Sequence, residues 1–541
     1  MTSASLQLII ELNTLSRKPT FVALLDAQKA FDCVWHDGLF QKLYKSTVLP
    51  VIQALLTSAY NGAESRVFWE GKISLPITLE KGVRQGSILS PLLYTVFIDG
   101  LIKALRNSGL GCTLQGRYSG VIILADDVAL LASSSVELQE MLVITGRYTT
   151  QWRYSINPSK SAIIVFNEKR APLEQRQQNS WSLSEANVID RVPHHPHLGI
   201  IKSATRRDPT PEIISKGLKT FFALQGLGTF SSGLSPYLCA KLWMVFCIPR
   251  MLYGTAVLAL TSHEAARLNT SQNNIFKKIL GLPQSTANEA IYLLTGLLPL
   301  QAQHELNSLL LIGQLITLPE VRFEKRTLLH ATTLSTPLTK AWNKILSKHN
   351  LPDLTSILTN PTPYINWKRQ VKKAVQETTI RQVQHAITSK STLSLWKHLH
   401  QLPSPASIFL LCLAPHLRKA QIARCQLLTQ TYPTQKCLLK IGKTQSAACL
   451  LCKEEEEDVV HFVSSCKHLL PYRASFIGKA NQQFPGLGIS PSLDQDNPLA
   501  FAHLILLPNT DLTTSLSNSF TILSLHYILH IHTLHASAYM E

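Results

Sequence analysis

Val121-Ile122-Ile123-Leu124-Ala125-Asp126-Asp127-Val128-Ala129-Leu130-Leu131 sets two adjacent carboxylates between two short apolar runs. Runs of this length read as two buried strands joined at a tight hairpin. Two acids at one turn repel each other and lose hydration. A divalent cation offsets that cost, and Mg²⁺ takes carboxylate oxygens together with substrate phosphates. Asp is also an ordinary turn residue. The stretch alone therefore fits a plain turn as well as a metal site, and its context decides.

That context begins about 100 residues upstream, where the apolar run of Phe21-Val22-Ala23-Leu24-Leu25 ends in Asp26-Ala27-Gln28-Lys29-Ala30-Phe31-Asp32. Between the two lies Lys81-Gly82-Val83-Arg84-Gln85-Gly86-Ser87-Ile88-Leu89-Ser90-Pro91-Leu92-Leu93. It starts with Gly and polar residues and then enters an amphipathic helix, with Ser90 and Pro91 suited to the N-cap and first turn. The D-A-x-K-A-F-D, G-V-x-Q-G-S-x-L-S-P and A-D-D segments, in this order, resemble the palm of a reverse transcriptase of the non-LTR (LINE-type, jockey-like) retrotransposons. The resemblance implies an α+β fold: an antiparallel sheet backed by helices, followed by a helical thumb, a helical C-terminal region and a small zinc-knuckle-like segment.

The resemblance also implies site roles. Asp26, Asp126 and Asp127 would hold two Mg²⁺ ions, with the Ala27 carbonyl as a further ligand. Two metals about 3.5–4 Å apart activate a 3′-hydroxyl and neutralise a leaving pyrophosphate. Lys160, in Asn157-Pro158-Ser159-Lys160, would stabilise or protonate that pyrophosphate. Phe31 would lie under the sugar and exclude a 2′-hydroxyl. Gln85 and Gly86 would line the nascent base pair, Gly permitting close backbone approach. Leu198 and Gly199, after His197, resemble the turn that grips the primer end. Leu124 departs from the pattern, replacing the aromatic residue that usually precedes A-D-D.

The chain has 541 residues and a formal net charge of +18. That length holds two to four domains, and that charge favours polyanionic partners. No secretory signal is evident, and no apolar run is long enough for a membrane span. Phe520 to His535 comes nearest but carries four histidines. Ten cysteines, mostly scattered, suit a reducing compartment, so the expected location is the nucleus and cytoplasm.

In order, residues 1–200 read as palm with partial fingers, 201–330 as a helical thumb and 331–440 as a further helical region. Residues 441–475 read as a zinc-binding segment and 476–541 as a C-terminal helical tail. Possible breaks fall at Pro361 to Pro363 and Pro403 to Pro405. Basic residues interleave the thumb, among them Lys202, Arg206, Arg207, Lys216, Lys219, Lys277 and Lys278, and would track duplex phosphates. Only Arg17 and Lys18 precede Asp26 as cations, so the fingers are expected to be truncated and nucleotide addition to be poor.

Cys449-x-x-Cys452, His461 and Cys466 offer three thiolates and an imidazole, enough for one tetrahedral Zn²⁺. His468 is an alternative ligand. The cluster resembles the C-terminal knuckle-like segment of the same retrotransposon family. The intervening acids, Glu454 to Asp458, argue against phosphate binding there and favour a structural ion. The expected function is RNA-directed DNA polymerase, with an RNA template, a DNA primer or target DNA and deoxynucleoside triphosphates as partners. The alternative is a non-catalytic nucleic-acid-binding remnant.

Overall fold

The run that ends in Asp26 forms strand β1, Thr20–Asp26, buried everywhere except at its last residue. A computed structural model describes residues 1–184, 187–224, 226, 234–397, 415–507 and 514–540. Helix α1, Thr2–Leu15, precedes β1. Strands β2, Val121–Leu124, β3, Asp127–Ala132, and β4, Ala162–Phe166, complete an antiparallel sheet of order β4-β1-β3-β2.

Successive side chains of a strand point to opposite faces. Phe21, Ala23 and Leu25 enter a core with helices α2, Ser90–Asn107, and α3, Ser135–Gln151. Val22 and Leu24 join Ala129, Leu131 and Ile164 on the other face, where Leu6, Ile9 and Ile10 of α1 cover them. Both faces are dry, so the strands read as unbroken apolar runs and not as the alternation of a half-exposed antiparallel sheet. Each fully buried Leu or Ile contributes roughly 1.5–3 kcal/mol. A charge at Leu24 would have no partner on either side.

One local expectation is corrected. Ser90 is the first residue of α2 and not its cap: Leu89 precedes it, and the Ser90 hydroxyl donates to the Arg84 carbonyl at 2.6 Å. That bond ties the helix start to the loop holding Gln85 and Gly86. Glu64–Ser65 pairs with Ile77–Thr78 and Phe68–Trp69 with Lys72–Ile73, so residues 64–78 form one antiparallel hairpin about the turn at Glu70-Gly71. Their apolar side chains stay exposed because no core lies beneath them.

Beyond the sheet, β5, His194–His197, and β6, Ile200–Ser203, form a hairpin. The helices that follow include α4, Thr210–Ala223, α5, Ser262–Ile279, α6, Glu289–Thr295, α7, Leu300–Ile316, and α8, Phe323–Thr333. Then come α9, Tyr364–Ser389, α10, Arg418–Leu428, α11, Leu470–Gln483, and α12, Thr514–Met540.

Cores run across positions 330, 440 and 475. One joins Ala4, Leu8 and Leu12 of α1 to α7, α8, Trp342 and Trp367, so α1 is shared between the sheet and the helices. Another runs from α4 and α5 through α10 to Cys449, Phe462 and α12. Tyr527 of α12 donates its hydroxyl to the Val463 carbonyl at 2.6 Å, fixing that helix over the cysteine segment. Pro361 to Pro363 do fall between helices; Pro403 to Pro405 lie outside the described residues. Among the described residues, no helix is long and apolar enough to cross a membrane.

Candidate active site and metal centre

Antiparallel register sets Asp26 directly opposite Asp127, on one face at one end of the sheet. Leu124 pairs with Asp127, which leaves Ala125-Asp126 as a two-residue turn. Ala125 takes φ 53°, a left-handed conformation that costs a residue with a Cβ about 1–2 kcal/mol. The Ala27 N–H donates to the Asp126 carbonyl at 3.1 Å and locks the turn to β1. The carboxyl of Asp127 lies above its usual range, first because it is partly buried, then because Asp126 and Asp26 repel its charge. Unlike the cysteine group below, the three acids are not drawn to a common point.

Asp26 is held from behind. Its N–H donates to Ser161 Oγ at 3.1 Å, and its carbonyl accepts from the Asn157 N–H at 2.9 Å. The same loop brings Lys160 Nζ to 4.0 Å from Asp26 Oδ2, with the lysine side chain 68% exposed. Such an ion pair adds little stability, but it sets a cation beside the acids.

Phe31 is half-buried, its ring 5.3 Å from that of Tyr94. Burial and the nearby Asp126 charge push the Tyr94 hydroxyl up, so both rings belong to the acidic end. The Phe31 carbonyl accepts from the Val83 N–H at 2.8 Å, and Gln85 Nε2 donates to Asp32 Oδ1 at 2.8 Å. These bonds bring the Gly82–Pro91 motif to the Asp26–Asp32 motif. Gly86 has φ 83° with open space around it. Leu124, beside the acids, is 47% exposed.

The β5–β6 turn is Leu198-Gly199, with φ 51° and 71°. Two positive φ values match the twist of a two-residue hairpin. Tyr253 holds this turn. Its hydroxyl donates to the Leu198 carbonyl at 3.1 Å, and a Cβ on Gly199 would lie 3.1 Å from its ring. Nothing in the sequence singled out Tyr253, because the contact joins residues far apart in the chain. His195 donates a ring N–H to the Lys160 carbonyl at 2.9 Å, linking this hairpin to the acidic end.

The basic set of the expected thumb divides. Lys202 and Lys277 are buried. Lys202 Nζ donates to Gln7 Oε1 at 3.1 Å, and Lys277 Nζ to the Gln284 carbonyl at 2.8 Å. Arg206 and Arg207 pair with Glu264 and Glu212. Lys216, Lys219 and Lys278 remain exposed.

Cys449, Cys452, His461 and Cys466 converge, with all four ligand atoms within 4.8 Å of one another. The Cys449 and Cys466 sulfurs are 3.8 Å apart, and Cys452 Sγ is 3.5 Å from His461 Nε2. A tetrahedral ion with bonds of about 2.3 Å to sulfur and about 2.0–2.1 Å to nitrogen requires edges close to these. A turn at Lys453, φ 61°, brings the two N-terminal cysteines together. A π turn over His461–Ser465, closed by the Cys466 N–H on the His461 carbonyl at 2.9 Å, sets the other two ligands. His468 is not part of the group.

Two of the intervening acids serve this centre. Glu455 Oε2 lies 3.0 Å from His461 Nδ1 and orients the ring, as carboxylates commonly do for metal-ligating histidines. Glu457 is fully buried, accepting from Cys449 Sγ at 3.5 Å and from His535 of α12 at 3.3 Å. Burial pushes Glu457 up, but hydrogen bonds and the charge of His535 outweigh it and keep the carboxyl below its usual range.

Residues 2–189 match the family described as reverse transcriptase (RNA-dependent DNA polymerase). The RNA-directed DNA polymerase from mobile element jockey of Drosophila funebris is 28% identical over 270 residues, 48% of this chain and 28% of that protein. The probable RNA-directed DNA polymerase from transposon BS of Drosophila melanogaster is 33% identical over 201 residues, 34% of this chain and 21% of that protein. A Pol polyprotein from the R2 retrotransposable element of Popillia japonica is 22% identical over 287 residues, 52% and 46% of the two chains. The chain spans less than half the length of each. A telomerase from Candida albicans, 14% identical with a TM-score of 0.26 over 57% of this chain and 52% of that one, is too slight a likeness to bear on the fold. Residues 2–189 carry a reverse transcriptase domain, related to those of non-LTR retrotransposons.

Proposed function

We propose that this domain is an RNA-directed DNA polymerase that extends a DNA primer or target-DNA end on an RNA template. The observation that carries this is the register pairing of Asp26 with Asp127, with Asp126 in the adjoining turn. Strands far apart in sequence thereby present three carboxylates at one end of a rigid sheet. Bound Mg²⁺, in two sites on Asp26, Asp126, Asp127 and the Ala27 carbonyl, would polarise the 3′-hydroxyl and neutralise the leaving pyrophosphate.

The chain's own groups position the reactants. Lys160 offers its ammonium to the pyrophosphate. Phe31, braced by Tyr94, fills the space a 2′-hydroxyl would need. Gln85 and Gly86 border the nascent pair. Leu198 and Gly199, held by Tyr253, support the primer end. Lys216, Lys219 and Lys278 extend the phosphate contacts into a thumb over residues 201–330. Cys449, Cys452, His461 and Cys466 bind one structural Zn²⁺ within 441–475. Residues 1–200 are the palm and fingers region, and the described helices of 331–440 and 476–541 are a helical support. The undimerised thiols of the described cysteines fit work in the nucleus and cytoplasm.

A second reading is a non-catalytic nucleic-acid-binding remnant. Its favouring observation is exposed apolar surface on two of the motifs: Ile88, two residues after Gly86, is 91% exposed, and Leu124, two residues before Asp126, is 47% exposed. Primer extension on an RNA template with Mg²⁺ tests both readings. Templated deoxynucleotide addition, lost in Asp126→Asn, is expected; duplex binding with no extension at any nucleotide concentration would favour the remnant.

A further inference from the structure

A cavity of about 880 Å³ opens among α5, α6, α7 and α9, beyond the residues matched to the polymerase family. Its size falls within the range of about 300–1,000 Å³ typical of small-ligand sites, but its walls are unusually polar. Three amide side chains of α5 reach it: Asn269, Gln272 and Asn273. The first two are satisfied. Asn269 Oδ1 accepts from the Gln301 N–H at 2.9 Å. Gln272 accepts from Trp243 Nε1 at 3.0 Å and donates to the Leu298 carbonyl at 3.1 Å.

Asn273 differs. It is only 8% exposed, lines the cavity, and its carboxamide has no hydrogen-bond partner among the described residues. Its polar atoms are reached from the cavity and are free to pair with what enters it. A carboxamide offers a donor and an acceptor side by side, the pair that reads a nucleobase edge. The half-buried ring of Tyr292 also lines the cavity and supplies a surface on which a base can stack. At the mouth stand Arg381 and Lys390. Lys390 pairs with Glu289. Arg381 spends one donor on Thr378 Oγ1 at 3.1 Å and keeps the rest for an anion.

We propose that this cavity takes an unstacked nucleotide of a single-stranded nucleic acid, its base on Asn273 and Tyr292 and its phosphate on Arg381 and Lys390. A duplex cannot use the site, because its bases are already paired and stacked. The cavity therefore separates single strands from duplex with a lining that includes none of Asp26, Asp126 and Asp127.

The test is fluorescence anisotropy with a short labelled single strand of mixed sequence, made once as RNA and once as DNA, and with the matching duplex. Asn273→Ala and the surface variant Arg381→Ala are each expected to weaken single-strand binding about tenfold, as a lost amide–base or cation–phosphate contact would. Duplex affinity and the thermal melt should not change. Loss in the RNA arm alone would identify a 2′-hydroxyl contact within the same site. A photoreactive single strand should crosslink near Tyr292 or Arg381 in the unaltered chain. Unchanged single-strand affinity in both variants, or an equal loss for duplex, overturns the proposal. Extension is scored separately: a chain that never extends but shows this selectivity would remove the polymerase reading and keep the cavity.

Discussion

The acidic end of the sheet and the cysteine–histidine centre are built in opposite ways. The acids come from strands about 100 residues apart and are paired by backbone register. The thiols and imidazole come from one short segment and are gathered by two local turns. The acids are partly open to solvent, and the charges of Asp126 and Asp26 add to burial in raising the proton affinity of Asp127. The thiols and imidazole are largely enclosed; the exposed Glu455 orients the His461 ring, and the buried Glu457 accepts from Cys449. An open, like-charged site keeps room for a substrate and its phosphates; a closed site with its ligand atoms at tetrahedral edges holds a segment together.

The largest effect should come from removing charge at the open site. Asp126→Asn should lower primer extension by about a thousandfold or more, the range that single groups of a catalytic unit carry, with an unchanged melting temperature. Measurable extension in that variant would leave the acids as turn residues.

At the closed site the effect should be on folding. Cys449→Ser should lose bound zinc in metal analysis. The apparent free energy of structural zinc reaches about 10 kcal/mol or more in small domains, so the described segments from 415 onward should become protease-sensitive while the sheet persists. Zinc retained at one ion per chain would mean a different ligand set.

A smaller effect belongs to the Leu198–Gly199 turn. Gly199→Ala meets both a φ of 71° and the Tyr253 ring, at a cost of about 1 kcal/mol. The apparent affinity for primer–template should drop several-fold, with a lesser change in Tyr253→Phe. Equal affinity in both variants would show that the turn does not touch the primer. Phe31→Val should raise ribonucleotide incorporation relative to deoxynucleotide; an unmoved ratio would make the ring a packing element only.

The smallest effect is a stability difference with a definite sign. Asp127 has a folded pKa above its usual 3.8, so the folded chain binds more protons than the unfolded one in that window. Stability therefore falls as pH rises from 3.8 through the raised value. In metal-free buffer, Asp127→Asn should melt higher than the unaltered chain near neutral pH, with the gap closing in acid. Added Mg²⁺ should also close it. A lower melting temperature at neutral pH would show that the carboxylate is stabilised by contacts and not strained.

Much of this was legible in the residues. Strand β4 has the bounds its apolar run marks, a helix begins with Pro50 in its first turn, and another begins directly after Pro363. The four residues that could hold a metal ion were readable because their spacing is local. Ser90 was misread as a cap, since a cap and a first-turn serine look alike until the partner of the hydroxyl is known. The interleaved lysines were misread for a similar reason. Lys202 and Lys277 carry the same charge as Lys216, but packing buries them against carbonyl and amide oxygens.

By itself, the sequence determined which stretches become strands, which carboxylates they carry and which residues can ligate a metal, because periodicity and ligand chemistry are written in local order. Only the tertiary structure decided that Asp26 faces Asp127, that Tyr253 braces a turn more than fifty residues before it, that α1 serves two cores, and that Asn273 is left without a partner. Those outcomes depend on register and packing between distant segments, and no local pattern encodes where a chain meets itself.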